Sequence, residues 1–234
     1  MPRNTLVTGA NRGLGLALVR QLLARGDHVV ATCRQPGKAT SLNALAGEHP
    51  GRLHVLPLDV ADPRSRAELV RELPLVLGDD AHIDLLINNA GVLHSGERFG
   101  HLDQAVLEDS LRINAVGPFL LAEALAPHLA DGAKVANLSS VMGSIGTRGE
   151  FRSPSYCASK AAQNMLNVQL ARALAARGIV VLALHPGWVR TDMGGEAAEL
   201  APDDAAGGLL RVIGDAGPAE SGQFLDWRGQ PVPW

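Results

Sequence analysis

One tyrosine and one lysine stand four residues apart in a chain that has few of either. Tyr156 is the only tyrosine among 234 residues, and Lys160 is one of three lysines. The residues that follow, 161–174, are rich in Ala, Leu and Gln and predict a helix, on which positions four apart share a face. An ammonium held near a phenol favours the phenolate. The pair is therefore a candidate for proton chemistry, although a packing Tyr beside a solvated Lys is the commoner outcome of this spacing.

Bulk composition excludes several classes of protein. The chain is 46% hydrophobic, with a net charge of −3 and a pI near 6.2, which argues against a nucleic-acid partner. No apolar run is long enough for a membrane span, and the N-terminus lacks a signal-peptide pattern. Two cysteines and eight scattered histidines show no metal-ligand spacing, so we expect no metal. We expect a cytoplasmic protein.

Short β-branched runs alternate with longer amphipathic ones along the whole chain. This alternation is typical of an α/β fold, with one doubly wound parallel sheet covered by helices on both faces, and we expect a single domain over 1–234. Seven strands are predicted: Thr5–Thr8, His28–Thr32, Leu53–Pro57, Asp84–Asn88, Lys134–Leu138, Ile179–His185 and Gln223–Asp226. The predicted helices are Leu14–Arg25, Ala39–Ala46, Pro63–Leu73, Leu102–Ala130 with a break near Asn114–Pro118, Ser155–Arg177 and Asp203–Val212. Gly26, Gly132 and Gly178 are expected to follow helix ends.

The first strand leads into a glycine-rich turn and then a helix, the order of a Rossmann-type nucleotide site. Glycines stand at Gly9, Gly13 and Gly15. Glycine lets the backbone approach a pyrophosphate, and the helix N-terminus offers free N–H groups to it. The turn alone is weak support, but its place directly after a strand strengthens the prediction.

The end of the second strand predicts the choice of nucleotide. NAD sites place an acid there to hold the ribose 2′-hydroxyl. This chain has Cys33 and Arg34 instead, and Arg12 lies in the glycine turn. Guanidinium groups suit a 2′-phosphate, so the sequence favours NADP(H) over NAD(H). The alternative is that Arg34 is an ordinary solvated loop residue.

Two further strand ends carry polar residues whose roles stay open. Asp59 ends the third strand, where its carboxylate can accept from an adenine amino group or cap the following turn. Asn88 to Gly91 follow the fourth strand. They can approach the adenine ribose and tie strands together, or form a simple turn.

Taken together, the motifs resemble the short-chain dehydrogenase/reductase family, in its single-domain form, and look most like the sniffer and C-factor-like carbonyl reductases. The resemblance extends from position 8 to 191, in the family's order. It rests on Thr8-Gly9-x-x-x-Gly13-x-Gly15, Asp59-Val60, Asn88-Asn89-Ala90-Gly91, Asn114, the NLSS of 137–140, Tyr156-x-x-x-Lys160, Pro186-Gly187 and Thr191.

The resemblance implies catalytic roles for four residues. Tyr156 would give a proton to the carbonyl oxygen, and Lys160 would hold the nicotinamide ribose and lower the Tyr156 pKa. Ser140 would bond the substrate oxygen, with Ser139 as the runner-up. Asn114 would support a water relay from Lys160, or merely mark a helix kink. Lowering a phenol pKa from about 10 to about 7 takes about 4 kcal/mol, which a charge about 4 Å away supplies at an effective dielectric near 20.

The resemblance also implies a set of nucleotide contacts, with Val189 and Thr191 on the nicotinamide carboxamide. His185 is a tempting base, but its place at a strand end favours a positional role. The cofactor-binding residues are predicted to be Gly9, Asn11, Arg12, Gly13, Leu14, Gly15, Arg34, Asp59, Val60, Asn89, Ala90, Gly91, Tyr156, Lys160, Pro186, Gly187, Val189 and Thr191.

Two segments near the reacting residues leave the substrate pocket undefined. The sixteen-residue step from Ser140 to Tyr156 is longer than the family's usual one, and its Gly-rich loop absorbs the difference. Residues 194–208 are small, acidic and flexible, which is typical of a lid but also of a surface loop.

We expect an enzyme that reduces a small-molecule ketone or aldehyde with NADPH, reversibly. One alternative is a signalling protein that binds NADP(H) without turnover, since a fold does not prove catalysis. Another is a ketoreductase for carrier-bound acyl chains, with Arg148, Arg152 and Arg190 receiving the carrier. By resemblance the helices 102–130 and 155–177 would pair two or four copies.

Overall fold

The computed structural model describes residues 3–78 and 82–234, so the predicted domain 1–234 includes five residues outside the described part. Within these ranges, seven strands form one sheet. They are β1 (Asn4–Thr8), β2 (His28–Cys33), β3 (Leu53–Pro57), β4 (Ile83–Asn88), β5 (Leu129–Leu138), β6 (Val180–His185) and β7 (Phe224–Asp226). Every neighbouring pair is parallel, in the order β3-β2-β1-β4-β5-β6-β7. The predicted doubly wound α/β fold is confirmed.

Helices cover both faces of the sheet. They are α1 (Gly13–Ala24), α2 (Thr40–Glu48), α3 (Pro63–Leu77), α4 (Gln104–Leu111), α5 (Gly117–Leu125), α6 (Pro154–Leu174) and α7 (Pro202–Asp215). A π-helical turn, Arg112–Val116, joins α4 to α5 without an interruption. Short 3₁₀ turns stand at Pro36–Lys38, Ala126–His128, Val141–Gly143, Ile145–Thr147, Ala175–Arg177 and Pro218–Glu220.

The strands are apolar on both faces because both faces are covered. Successive residues point to opposite sides of a strand. Leu6 and Leu86 therefore pack under α3, α5 and α6, whereas Val7 and Ile87 pack under α1 and α7. This two-sided burial explains why the strand segments read as continuous apolar runs.

The sheet changes its direction of winding at β1. This strand pairs with β2 on one side and β4 on the other, with Val7 opposite both Ala31 and Ile87. The loops after β1 and β4 leave in opposite directions at that point. A crevice therefore opens beyond the carboxyl ends of these strands, where open α/β sheets bind their ligands.

Three predicted boundaries are wrong. The helix predicted to reach Ala130 ends in a 3₁₀ turn at His128, because Leu129 pairs with Ile83 and begins β5. Gly132, with φ +76°, lies in the irregular start of β5 rather than after a helix. Residues 202–208, included in the predicted lid, form the first half of α7, which agrees instead with the helix predicted over Asp203–Val212.

Other local signals hold as predicted. Asp62 caps α3 by accepting from the Arg64 N–H at 3.0 Å, with proline at the first helical position. Gly26 and Gly178 follow α1 and the turn after α6 with φ of +94° and +66°. No helix in the described ranges has both the length and the apolar content that a membrane crossing needs.

Candidate active site

A cleft of about 430 Å³ runs along the carboxyl ends of the central strands. That volume lies within the range of ligand sites, roughly 300–1,000 Å³. All eighteen residues predicted to bind the cofactor line it, together with Ser140. Asn114 does not line the cleft and lies fully buried behind it. The structure thus brings residues from seven separate segments of the chain to one surface.

At one end of the cleft, the glycine turn has no room for side chains. A Cβ on Gly15 would lie 2.3 Å from the Gly9 carbonyl oxygen, and one on Gly9 would lie 2.9 Å from the Ala90 Cα. Gly9 also has a φ of +65°, which favours glycine. The turn presents bare backbone directly before the first turn of α1, and this arrangement fits a pyrophosphate.

The residue after β4 holds this turn in place. The Asn89 amide donates to the carbonyls of Thr8 and Gly9, at 2.9 and 3.0 Å. The Thr8 hydroxyl accepts from the backbone N–H groups of Asn89 and Ala90, both at 3.0 Å. The sequence left several roles open for these residues, and these contacts support one of them, which is to tie β1 and β4 together.

Charged residues stand at the rim of the same end. Arg34 is exposed and lines the cleft, whereas Arg12 forms an ion pair with Asp192 from the loop after β6. Asp59 caps its own turn, since its carboxylate accepts from the Ala61 N–H at 2.9 Å. It also lines the cleft, so an adenine contact stays a prediction.

At the other end, α6 carries Tyr156 and Lys160 on its buried face. Both side chains are less than a tenth exposed. The Lys160 Nζ lies 5.7 Å from the centre of the Tyr156 ring. It donates to the Leu138 carbonyl at 2.7 Å and to the Gln163 Oε1 at 2.9 Å. The lysine is therefore held from the sheet side and from its own helix.

Burial shifts the two pKa values in opposite directions. Loss of water around the phenol raises the pKa of Tyr156 to about 12, while the Ser140 hydroxyl opposes that shift. Loss of water around the ammonium lowers the pKa of Lys160 to about 7. Burial thus shifts the Tyr156 pKa upward, opposite to the direction expected from Lys160, whose Nζ lies 5.7 Å from the ring centre; the effect of Lys160 on the phenol stays a prediction.

The two serines after β5 have different surroundings. Ser139 donates to the Asn164 Oδ1 at 2.6 Å and is committed to α6. Ser140 lines the cleft, and its hydroxyl accepts from the Met142 N–H at 3.1 Å. Its influence on the Tyr156 pKa places it beside the phenol. The geometry therefore favours Ser140 over Ser139 as the substrate contact.

Asn114 connects the π-helical turn to the loop after β4. Its amide oxygen accepts from the Val92 N–H at 2.8 Å, and its nitrogen donates to the Val92 carbonyl and the Ser159 hydroxyl, at 2.8 and 2.9 Å. A π-helical turn often marks a functional position. The predicted support of a water relay stays a prediction, whereas the structural tie is direct.

The loop after β6 closes the cleft from the far side. Pro186, Gly187, Val189 and Thr191 line it, and Val189 forms a bridge with Leu200. His185 lines the cleft too, and burial lowers its pKa, so the ring is neutral at neutral pH. A neutral imidazole is also the form that acts as a base, so the positional role of His185 stays a prediction.

Sequence reasoning missed a polar stripe on the buried face of α6. Ser159, Lys160, Gln163, Asn164 and Asn167 recur at helical spacing, and each is at most 4% exposed. Polar stripes usually face water, so the pattern was uninformative without the neighbouring Asn and Ser residues of β4 and β5. The spacing itself was the signal that marks one shared face.

Gly143 is a second omission. A Cβ there would lie 2.7 Å from the Lys160 backbone carbon, so only glycine lets this 3₁₀ turn pack against α6. The exposed apolar side chains of Trp188 and Met193 at the cleft wall were missed as well, because exposure is not readable from a single sequence.

Comparison with known proteins agrees with this site. A nucleotide-type glycine turn and a buried Tyr–Lys pair in one cleft define a dinucleotide-dependent class of enzyme. The family model for short chain dehydrogenase matches residues 3–201. The chain belongs to the short-chain dehydrogenase family and is an oxidoreductase of that type.

Three relatives illustrate the likeness. The NADPH-bound carbonyl reductase from chicken fatty liver is 36% identical, with a TM-score of 0.93, covering 100% of this chain and 99% of its own. The carbonyl reductase Sniffer of D. melanogaster is 33% identical, with a TM-score of 0.95 and full coverage of both chains. C-signal of Myxococcus xanthus is 42% identical over 154 residues, which cover 65% of this chain and 93% of that protein. The predicted likeness to sniffer reductases is confirmed.

Proposed function

We propose that this protein reduces the carbonyl group of a small-molecule ketone or aldehyde with NADPH, and that the reaction is reversible. The observation that carries the proposal is the burial of Tyr156 and Lys160 together at one end of the cleft, with the glycine turn at the other. Carbonyl reductases of known structure with the same fold support it, since one of them holds NADPH.

The residues fit a dinucleotide along the length of the cleft. Gly9, Gly13 and Gly15 would hold the pyrophosphate at the start of α1, and Val189 and Thr191 would hold the carboxamide. The bound nicotinamide would supply the hydride. The clashes that a Cβ would meet at Gly9 and Gly15 show that only glycine allows this tight turn, which brings the start of α1 to the cleft.

Tyr156 would deliver the proton that balances the hydride. Its raised pKa keeps Tyr156 a neutral phenol at neutral pH, so it still carries its proton when the substrate binds. Ser140, beside it, would orient the carbonyl oxygen. Once the proton has left, the Lys160 ammonium would stabilise the phenolate, since a nearby cation favours the charged form.

The NADPH preference rests on Arg34 and Arg12. Arg34 stands exposed at the rim, where a 2′-phosphate would be accessible to its fork of donors. Arg12 is paired with Asp192, so the phosphate would have to draw it from that ion pair. NADP-bound structures of similar chains support NADP binding.

The test follows the loss of NADPH absorbance against a panel of ketones and aldehydes, with Tyr156→Phe as the matched variant. We expect turnover by the native protein and a loss of at least about 100-fold in the variant, as for a missing general acid. Nucleotide affinity should fall far less than turnover, since the glycine turn and the rim, which would hold most of the dinucleotide, are unchanged. Turnover undiminished in Tyr156→Phe would contradict the proposal.

A second candidate is a nucleotide-binding signalling protein without turnover, which the likeness to C-signal favours. A sensor needs the glycine turn but no proton donor. Binding of NADPH without turnover of any carbonyl in the panel would select this candidate. A carrier-bound substrate is less supported, because the Arg190 guanidinium already donates to the Ala198 carbonyl at 3.0 Å.

We propose that copies of the chain pair through α4, α5 and α6, as the family resemblance implies. Val116 and Met165 are exposed apolar residues in this region, 43% and 61% accessible. Sedimentation of Met165→Glu should show smaller particles than the native protein. The control is Leu75→Glu, an 83% exposed leucine of α3 that should leave the assembly unchanged. Equal sedimentation of all three proteins would reject this surface.

A further inference from the structure

The buried lysine at the reacting end has an unexpected partner. Lys160 uses two of its three N–H donors inside the protein, one on the Leu138 carbonyl and one on Gln163. Gln163 is one turn further along α6 and only 3% exposed. Its Oε1 is a neutral acceptor 2.9 Å from the ammonium, so it stabilises the charge without cancelling it.

We propose that Gln163 is a positioning residue that favours the charged form of Lys160 and fixes its ammonium at the floor of the cleft. The inference rests on the proposed function only for its consequence, the stabilisation of the Tyr156 phenolate. The structural part concerns the lysine alone.

In the described part of the chain, the groups around the Lys160 ammonium are neutral, so none of them stabilises its charge by an ion pair. The elements packed against it contribute a carbonyl from β5, the bare backbone of Gly91 and Gly143, and Tyr156 from its own helix. Tyr156 is the titratable side chain that faces it. Desolvation alone accounts for the lowered pKa of Lys160, so among the described residues no charged side chain holds its proton.

Gln163 is itself held in a packed environment. It lines a small cavity between α5 and α6 together with Asn137 and Asn167. The Asn137 amide donates to the Asn167 Oδ1 at 2.9 Å and accepts from Asn88 at 2.8 Å. A hydrogen-bonded polar row thus runs from the sheet to α6, and it shares the wall of this cavity with Gln163.

The hydrogen bonds to the Leu138 carbonyl and to Gln163 fix the ammonium, so the third N–H of Lys160 is left for the cleft. A Cβ on Gly91 would lie 3.9 Å from the Nζ, so the absence of a side chain there leaves the ammonium open toward the cleft. Removing the Gln163 acceptor would leave the ammonium with one partner in a dry site. Burial would then favour the neutral amine more strongly.

The test reads the titration of Lys160 in the protein alone, by NMR of isotope-labelled lysine. Only three lysines contribute signals, and Lys160→Met identifies the relevant one. We expect Gln163→Leu to lower the titration midpoint of Lys160 by about one pH unit, the effect of one lost hydrogen bond to a charge. Gln163→Glu should raise the midpoint, because it places a carboxylate at the same distance.

The matched control is Gln169→Leu, an exposed glutamine on the same helix. Its Lys160 midpoint should equal that of the native protein. The proposal is overturned if Gln163→Leu behaves like this control, or if Gln163→Glu fails to raise the midpoint; the second variant also decides the matter should the leucine variant not fold. Shifted midpoints with no carbonyl turnover would contradict the proposed function and leave this inference standing.

Discussion

The two ends of the cleft are built in opposite ways. The nucleotide end consists of backbone without side chains, with exposed guanidinium groups at its rim. The reacting end consists of polar side chains that are almost fully buried, led by Tyr156 and Lys160. The nucleotide end works by letting a ligand approach the backbone closely, and its rim stays in contact with water. The reacting end works by excluding water from its polar side chains. The same protein thus uses shape for binding and desolvation for chemistry.

The difference appears in the charge states. At the reacting end burial makes both charged forms costly, so the pKa of the phenol is raised and the pKa of the ammonium is lowered. At the nucleotide end we therefore expect added side-chain atoms to weaken binding. At the reacting end we expect stability and ionisation to depend on pH.

The largest effect we expect is on the pH dependence of stability at Lys160. Its folded pKa of about 7 lies below the 10.5 of the unfolded chain, so only the unfolded state holds this proton between those values, and stability rises with pH across that window. Lys160→Met should remove a rise on the order of 5 kcal/mol. Urea unfolding of both proteins across this pH range measures it. Parallel curves for the two proteins would contradict the burial of a titrating lysine.

At the nucleotide end the sharpest test is Gly15→Ala. A Cβ there would lie 2.3 Å from the Gly9 carbonyl oxygen, so the turn must shift. We expect NADPH affinity to fall by about 100-fold, measured by titration calorimetry. Gly37→Ala is the control, since a Cβ on Gly37 meets nothing within 4 Å. An unchanged affinity in Gly15→Ala would show that the turn does not hold the nucleotide.

Gly143 tests whether shape also matters at the reacting end. A methyl group at this position would press on the Lys160 backbone, so Gly143→Ala should lose about 2 kcal/mol of stability and also lose turnover. Gly149→Ala, in the same loop and with open space around it, should behave as the native protein. Chemical unfolding and steady-state kinetics distinguish the two variants. If both lose activity equally, the packing against α6 is not the cause.

The smallest effect belongs to the exposed rim. Arg34→Leu should weaken NADPH about tenfold and leave NADH nearly unchanged, because only NADPH has the 2′-phosphate. Thermal shifts with each nucleotide measure the preference. A native protein that prefers NADH would contradict the assignment of Arg34.

The sequence predicted the fold and the cleft from local signals. Buried parallel strands are continuous apolar runs, and the glycine turn has its own spacing, so the ends of β3 agree with prediction. The helix end at His128 was missed, because pairing of Leu129 with Ile83 overrides a helical sequence. Gln163 was missed since a glutamine in a helix is ordinarily solvated. The i,i+3 spacing places Gln163 near Lys160 on α6, but only the structure shows that this face of the helix is buried.

The most direct test of the account is the ionisation of Tyr156, followed by NMR of an isotope-labelled tyrosine ring. The chain has one tyrosine, so a single signal reports it. We predict that the folded protein keeps the phenol form well past about 10, the value of a free phenol, toward a midpoint of about 12. The urea-unfolded chain should titrate near the free value. A folded protein whose tyrosine titrates at or below that value would contradict the claim that its reacting end works by excluding water.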